Sequence, residues 1–246
     1  MAALVDGTTQ TGSAGASAPR QGGGAYNPGA FSITRYRSYC NQTGVSITGD
    51  TPMLRYITSV TTLVGIQLQD KAILCADSQI TEDNLRTVST YTPKIVAVGR
   101  YLLGITGDSR PGDILAYNWT PPAYKGADPV QWMGKKVMPS ILAAFKENGY
   151  DPYEATKDKD AGFDYLVSFA GNLFHIACDL SFIQSNHGLY GLGSGGHFAL
   201  GYLHGVADTF TSANVKRHAE KAVQIAAVLD VNTCLPLQYV SQDKER

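Results

Sequence analysis

From Thr61 onward the apolar residues fall into runs that switch between strand and helix periodicity, and the order of those runs limits the architecture. "TTLVGIQL", a polar turn at Gln69-Asp70-Lys71 and "AILCAD" predict a β-hairpin of buried strands. "TPKIVAVG", a turn near Arg100 and "YLLGIT" predict a second hairpin, and Gly107-Asp108 opens a helix through Leu115 with Pro111 in its first turn. The prolines of "NWTPPAYKGADP" mark a loop. "VQWMGKKVMPSILAAFKENG" has helical periodicity up to Gly149, with a kink expected at Pro139. Strands return in "FDYLVSFAG" and "NLFHIACDL", joined by a turn at Gly171-Asn172, and in "SFIQSNHGLYGLGSG". "HFALGYLHGVAD" and "SANVKRHAEKAVQIAAVLD" read as helices, and "CLPLQYVS" as a closing strand. Strands, helices, strands, helices in that order predict an α+β fold in which two β-layers lie between two helical layers.

Residues 1–60 are different in kind. The first thirty are dominated by Gly, Ala, Ser and Thr and offer few large side chains to bury, so they predict a disordered or extended segment. Residues 31–58 add Tyr36, Tyr39, Met53, Leu54, Tyr56 and Ile57, which suit a segment lying along a surface of this domain or of a neighbour. The division is therefore an extended arm or propeptide over 1–60 and a globular domain over 61–246, compatible with 246 residues of which 43% are hydrophobic.

A net charge of −1 without a basic excess argues against a nucleic-acid partner, and the longest apolar run is too short to span a membrane. The first residues lack the basic and apolar segments of a secretory signal, which leaves the Asn41-Gln42-Thr43 acceptor pattern without meaning. Cys40, Cys75, Cys178 and Cys234 are scattered without metal-ligand or redox spacing, and read as reduced thiols. The five histidines show no zinc spacing. No cofactor is implied.

Thr61 is the candidate for chemistry. A threonine hydroxyl is a weak nucleophile that needs an adjacent base. If the chain were cut before Thr61, its own α-amino group, with an ordinary pKa of about 7.7–8.0, would supply that base. Such a site also needs a cation beside the nucleophile and a backbone N–H for the oxyanion. Taken singly, the candidate residues all have structural uses: a turn for Asp77, a solvated charge for Lys94, backbone geometry for Gly104 and Gly107, a helix cap for Ser194. Asp230 is less easily dismissed, because an acid at a helix C-terminus opposes the macrodipole and calls for a specific partner.

"TTLVGIQLQDKAILCADSQIT" resembles the start of mature proteasome β subunits and of HslV, members of the N-terminal nucleophile (Ntn) hydrolases. "KIVAVGRYLLGITGD" is similar to their lysine strand and Gly-x-x-Gly-Asp turn, and "GLGSGGHFALGYL" to their Gly-Ser-Gly motif at a helix start. The likeness runs from Thr61 to near Val240. It implies a four-layer αββα sandwich with Thr61 as N-terminal nucleophile, Asp77 as the acid beside the lysine, Lys94 as that lysine, Gly104 as the oxyanion-hole glycine and Ser194 as a hydrogen-bonding partner of the threonine amine. Asp230-Val231-Asn232-Thr233 is similar to the Asp-x-x-Ser element that completes the site, although Cys234-Leu235-Pro236 stands where glycines usually follow. Ile80, Thr81 and Ile105 would lie near the first substrate pocket. The resemblance further implies a threonine peptidase in a homo-oligomer or an assembly with related subunits, in the cytoplasm, served by an ATP-dependent unfoldase on a separate chain.

Val60 departs from the pattern. Members that free their own threonine usually carry glycine before it, and a β-branched residue resists the dihedrals of that strained turn. Val60 therefore keeps open a second function: an uncut structural subunit of the same fold, for example in a phage virion, whose arm binds neighbouring chains.

Overall fold

The computed structural model describes residues 61–82, 85–88, 93–155 and 162–245, all within the unit Leu54–Arg246. The predicted arm over 1–60, with Cys40 and Val60, lies outside them. The strands are β1 (Leu63–Gln67), β2 (Lys71–Ala76), β3 (Gln79–Glu82), β4 (Leu85–Val88), β5 (Ile95–Val98), β6 (Tyr101–Gly107), β7 (Phe163–Phe169), β8 (Asn172–Ile176), β9 (Phe182–Ile183), β10 (Leu189–Leu192) and β11 (Gln238–Asp243). The main helices are α1 (Ser109–Tyr117), α2 (Pro129–Trp132), α3 (Met138–Glu147), α4 (Pro152–Ala155), α5 (Gly196–Val206) and α6 (Val215–Leu229).

Two antiparallel sheets carry the fold, one ordered β10-β1-β2-β11 and the other β5-β6-β7-β8-β9; β3 and β4 form a separate hairpin. Period-2 alternation sorts their side chains onto two faces. Leu63, Ala72, Leu74 and Ala76 of the first sheet meet Leu102, Leu166 and Leu173 of the second between the sheets. On the outer side of the first sheet, Val64, Ile66, Ile73 and Cys75 pack against Ala199 and Leu203 of α5 and Ala219, Ala222 and Val223 of α6. On the outer side of the second, Leu103, Tyr165, Val167, Phe169 and Phe174 pack against Ile114 of α1 and Ile141 and Phe145 of α3. These are the four layers expected from the order of the runs. Burial raises the Cys75 thiol to about 12, in keeping with a small hydrophobe.

Two local expectations shift. The β7–β8 turn is Ala170-Gly171, one residue earlier than Gly171-Asn172, with φ of 49° and 71°. Two successive positive φ angles match the twist of a tight hairpin. A side chain at Gly171 would come within 2.5 Å of the Lys244 backbone, so only glycine fits there. At Pro139 the helix does not simply bend. Residues Met133–Val137 widen into a π-helical turn, with the Met138 N–H donating to the Met133 carbonyl, which accommodates a proline that has no N–H to give and whose ring clashes with the preceding turn.

Glutamines tie the two sheets together. Register places Gln67, Ala72 and Gln242 in one row across the first sheet, and Leu63, Ala76 and Gln238 in another nearer Thr61. The Gln67 amide donates to the Gly171 carbonyl and accepts the Leu173 N–H at 2.7 Å. Gln242 accepts the Gly171 N–H at 2.9 Å and donates to the Arg100 carbonyl. Glutamine amides thus cross-link one end of the inter-sheet layer, beside an exposed ion pair of Arg100 and Glu245.

Tyr165 is fully buried, yet its hydroxyl has no hydrogen-bond partner among the described residues. Removing an unsatisfied buried hydroxyl relieves a cost of about 1–3 kcal/mol. Tyr165→Phe is therefore expected to match or exceed the wild type in urea-unfolding midpoint, and a clear loss of stability would show that the hydroxyl is satisfied.

Candidate active site

Asp77 follows β2 directly and is completely buried. A carboxylate there survives only if its lone pairs are taken up, and four donors take them. Oδ1 accepts the Thr62 N–H at 2.9 Å and the Lys94 ammonium at 2.6 Å; Oδ2 accepts the N–H groups of Gln79 at 2.9 Å and Cys234 at 3.1 Å. Lys94 immediately precedes β5, with its side chain 9% exposed. One carboxylate oxygen therefore holds both the buried cation and the amide joining Thr61 to Thr62.

A second group is built on Asp230, the C-cap of α6. Its Oδ2 accepts the Ser194 hydroxyl at 2.8 Å and the Thr233 hydroxyl at 2.6 Å, and its Oδ1 accepts the Asn232 N–H at 3.1 Å. Three donors offset the unfavourable placement of an acid at a helix C-terminus. Thr62 Oγ1 lies 2.6 Å from Thr233 Oγ1. Thr233 has one hydroxyl proton and gives it to Asp230, so in this contact Thr62 donates and Thr233 accepts. A directed chain results: Thr62 to Thr233 to Asp230, with Ser194 entering at the same carboxylate. It meets the Asp77 group at Thr62, and again through the Cys234 N–H.

Glycines let these segments close up. A Cβ at Gly195 would fall 2.0 Å from Thr62 Oγ1; one at Gly193, where φ is 80°, would fall 2.0 Å from the Thr61 carbonyl oxygen. Thr61 itself is 4% exposed at the entrance to β1.

The predicted site residues divide accordingly. Thr61, through its bond to Thr62, is brought together with Asp77, Lys94, Ser194 and Asp230. Gly104 is not part of this cluster in the manner expected. Ile105 donates its N–H to the Lys94 carbonyl at 2.8 Å, so the alternation of an antiparallel ladder sends the Gly104 amide the other way, to Leu166 in β7. The missing Cβ of Gly104 makes room for Leu63 instead, whose Cδ2 would lie 2.7 Å from a Cβ there. The same alternation turns the amide of Gly107, at the end of β6 with φ of 84°, back to the Lys94 side. Ile105 packs in the helix-side cluster, against Gly112 of α1, on the opposite face of β6 from Gly104. Ile80 is half-buried in β3; Thr81 follows it, with a side chain outside the described residues. Thr62 is a contributor that sequence reasoning left out of the site, while Thr233 and Gly193 fall inside the Asp-x-x-Ser-like and Gly-Ser-Gly elements, which the sequence offered without a role for either residue.

No known family profile matches the chain, and no curated protein does. Solved structures do. BPH from Thiobacillus denitrificans in complex with epoxomicin superposes with a TM-score of 0.59 at 20% identity, covering 76% of this chain and 100% of that one. Eukaryotic HslV from Trypanosoma brucei gives 0.54 at 19% identity over 74% and 99%. Anbu, the ancestral beta-subunit, from Yersinia bercovieri gives 0.55 at 13% identity over 74% and 81%. The chain has the fold of the proteasome-type Ntn hydrolases. In this Ntn-hydrolase fold the Asp77 and Asp230 groups sit where β1, the strand led by Thr61, enters the sandwich. Among the described residues no helix is long and apolar enough to cross a membrane.

Burial lowers the pKa of the Lys94 ammonium, with Asp77 opposing the shift. The unfolded chain keeps that proton to a higher pH than the folded protein does, so stability rises with pH between the lowered value and the ordinary 10.5. The stability difference between wild type and Lys94→Met is expected to move in favour of wild type as the pH climbs through that window, measured by urea unfolding at successive alkaline pH values. A difference independent of pH would place Lys94 in water.

Proposed function

We propose that the chain is a threonine-type peptidase of the proteasome β/HslV kind, active in an oligomeric assembly once it is cut before Thr61. The observation that carries this reading is the fully buried Asp77 carboxylate shared by Lys94 and the Thr62 amide. A buried ion pair adds little to stability beyond what apolar residues of similar volume would provide, whereas a desolvated ammonium beside a hydroxyl is what an activated nucleophile needs. Removal of residues 1–60 would free the Thr61 α-amine as general base. Thr61 Oγ1 would attack the scissile carbonyl, passing its proton to that amine. The oxyanion would be received on the side of β6 that carries Lys94 and the Gly107 amide, and the amine would return the proton to the leaving nitrogen. Water, activated by the same amine, would hydrolyse the ester and restore Thr61. On this reading 1–60 is a propeptide, 61–246 is the catalytic domain, like subunits form the assembly in the cytoplasm, and a separate ATP-dependent unfoldase delivers substrate.

Val60 favours a second reading, in which the bond stays intact and the chain is a structural subunit, such as a virion component, whose arm engages neighbouring particle proteins. Intact-mass measurement of the assembled protein separates the two. Loss of 1–60, peptide hydrolysis that disappears in Thr61→Ala, and binding of epoxomicin (the ligand held by the structural neighbour BPH) are the expected results. A full-length mass without hydrolysis would sink the peptidase reading. Val60→Gly is expected to accelerate cleavage at the 60–61 bond; an unchanged mass in that variant would mean that the Asp77 and Asp230 groups are not catalytically arranged.

A further inference from the structure

Lys94 is gripped by the opposite sheet at both ends. Its ammonium reaches Asp77, which follows β2. Its backbone is held by a different residue of the same sheet: Gln238 Oε1 accepts the Lys94 N–H at 2.8 Å and the Ile95 N–H at 3.2 Å. Among the described residues β5 is an edge strand, paired only with β6, so outward amides at its start have no ladder partner there. Gln238 supplies one from β11. Register puts it beside Ala76, the residue before Asp77, so the two grips on Lys94 come from adjacent positions of the first sheet.

We propose that Gln238 is a positioning residue for the site: by clamping the backbone of Lys94 and Ile95 it fixes where the Lys94 ammonium meets Asp77 beside Thr61. The inter-sheet glutamines thereby divide in role. Gln67 and Gln242 bond turn and strand backbone far from Thr61 in register, whereas Gln238 acts on the one backbone whose side chain is the buried cation. A long side chain carries its charge about 6 Å from its Cα, so loss of the clamp lets the edge strand shift and the ammonium leave its carboxylate. The catalytic meaning of this role rests on the threonine-nucleophile reading; the grip on Lys94 does not.

The test is acylation of the folded full-length protein with a small amine-reactive ester, read lysine by lysine by mass spectrometry. In wild type Lys94 reacts slowly. In Gln238→Leu its rate is expected to rise ~10-fold, while Gln238→Glu, whose carboxylate accepts the same two N–H groups, stays within ~2-fold of wild type. Gln242→Leu is the control: it removes cross-sheet bonds at the other end, lowers the melting temperature, and leaves Lys94 slow. Should Gln238→Leu fail to fold, Gln238→Asn, one methylene too short to reach both amides, reads the same quantity. A wild-type Lys94 rate in Gln238→Leu or Gln238→Asn, or an equal rise in Gln242→Leu, overturns the proposal. Where the wild type hydrolyses peptides, Gln238→Leu is expected to lower kcat with KM held, and Gln238→Glu to restore it; absence of hydrolysis in wild type overturns the threonine reading and leaves the lysine readout standing.

Discussion

The contact between Lys94 and Asp77 joins the two sheets at the point where the chain enters its globular part. Neither group is tolerable there alone, because each would be an unpaired charge away from water. Together they oblige β2 and the start of β5 to approach, and the remaining lone pairs of Asp77 draw in Thr62, Gln79 and Cys234. Three chain segments distant in sequence, 61–62, 77–79 and 234, are thus fixed around one carboxylate. Apolar packing between the sheets would permit small slides; these directional bonds do not.

The second carboxylate extends this logic through hydroxyls. Asp230 ends α6, Ser194 lies just ahead of α5, and Thr62 lies just ahead of β1, so the chain of hydroxyl donors ties the helical layer to the first strand. A cut before Thr61 would leave the Thr62 nitrogen in a peptide bond, so Thr62 would have no α-amine of its own to serve as base, whereas Thr61 would.

Much of this was legible in the sequence. Apolar runs gave the layers because burial on one or two faces of a strand leaves a periodicity of its own, and the acid, lysine and serine positions followed from motifs in fixed order. The legible part ended where partners are decided by tertiary register. Gly104 and Gly107 share a motif, and only the pairing of β6 with β5 and β7 tells which amide faces Lys94. Ile105 alternates to the helix-side face of β6 for the same reason. Gln238 left a faint trace: in the strand pattern of "QYVSQ" a glutamine falls on the face that Val240 shares with the inter-sheet core, and an inward amide on such a face asks for a backbone partner.

The cross-links between the sheets are unlike in their chemistry at the two ends of the layer. At the far turn the glutamine amides stand beside an exposed ion pair of Arg100 and Glu245, whereas the pair of Lys94 and Asp77 is sealed from water. Dissolved salt screens exposed charges and barely reaches buried ones. Brine therefore weakens the ionic link at the turn and leaves the one beside the threonines intact, so ionic strength acts on the two margins of the sandwich unequally.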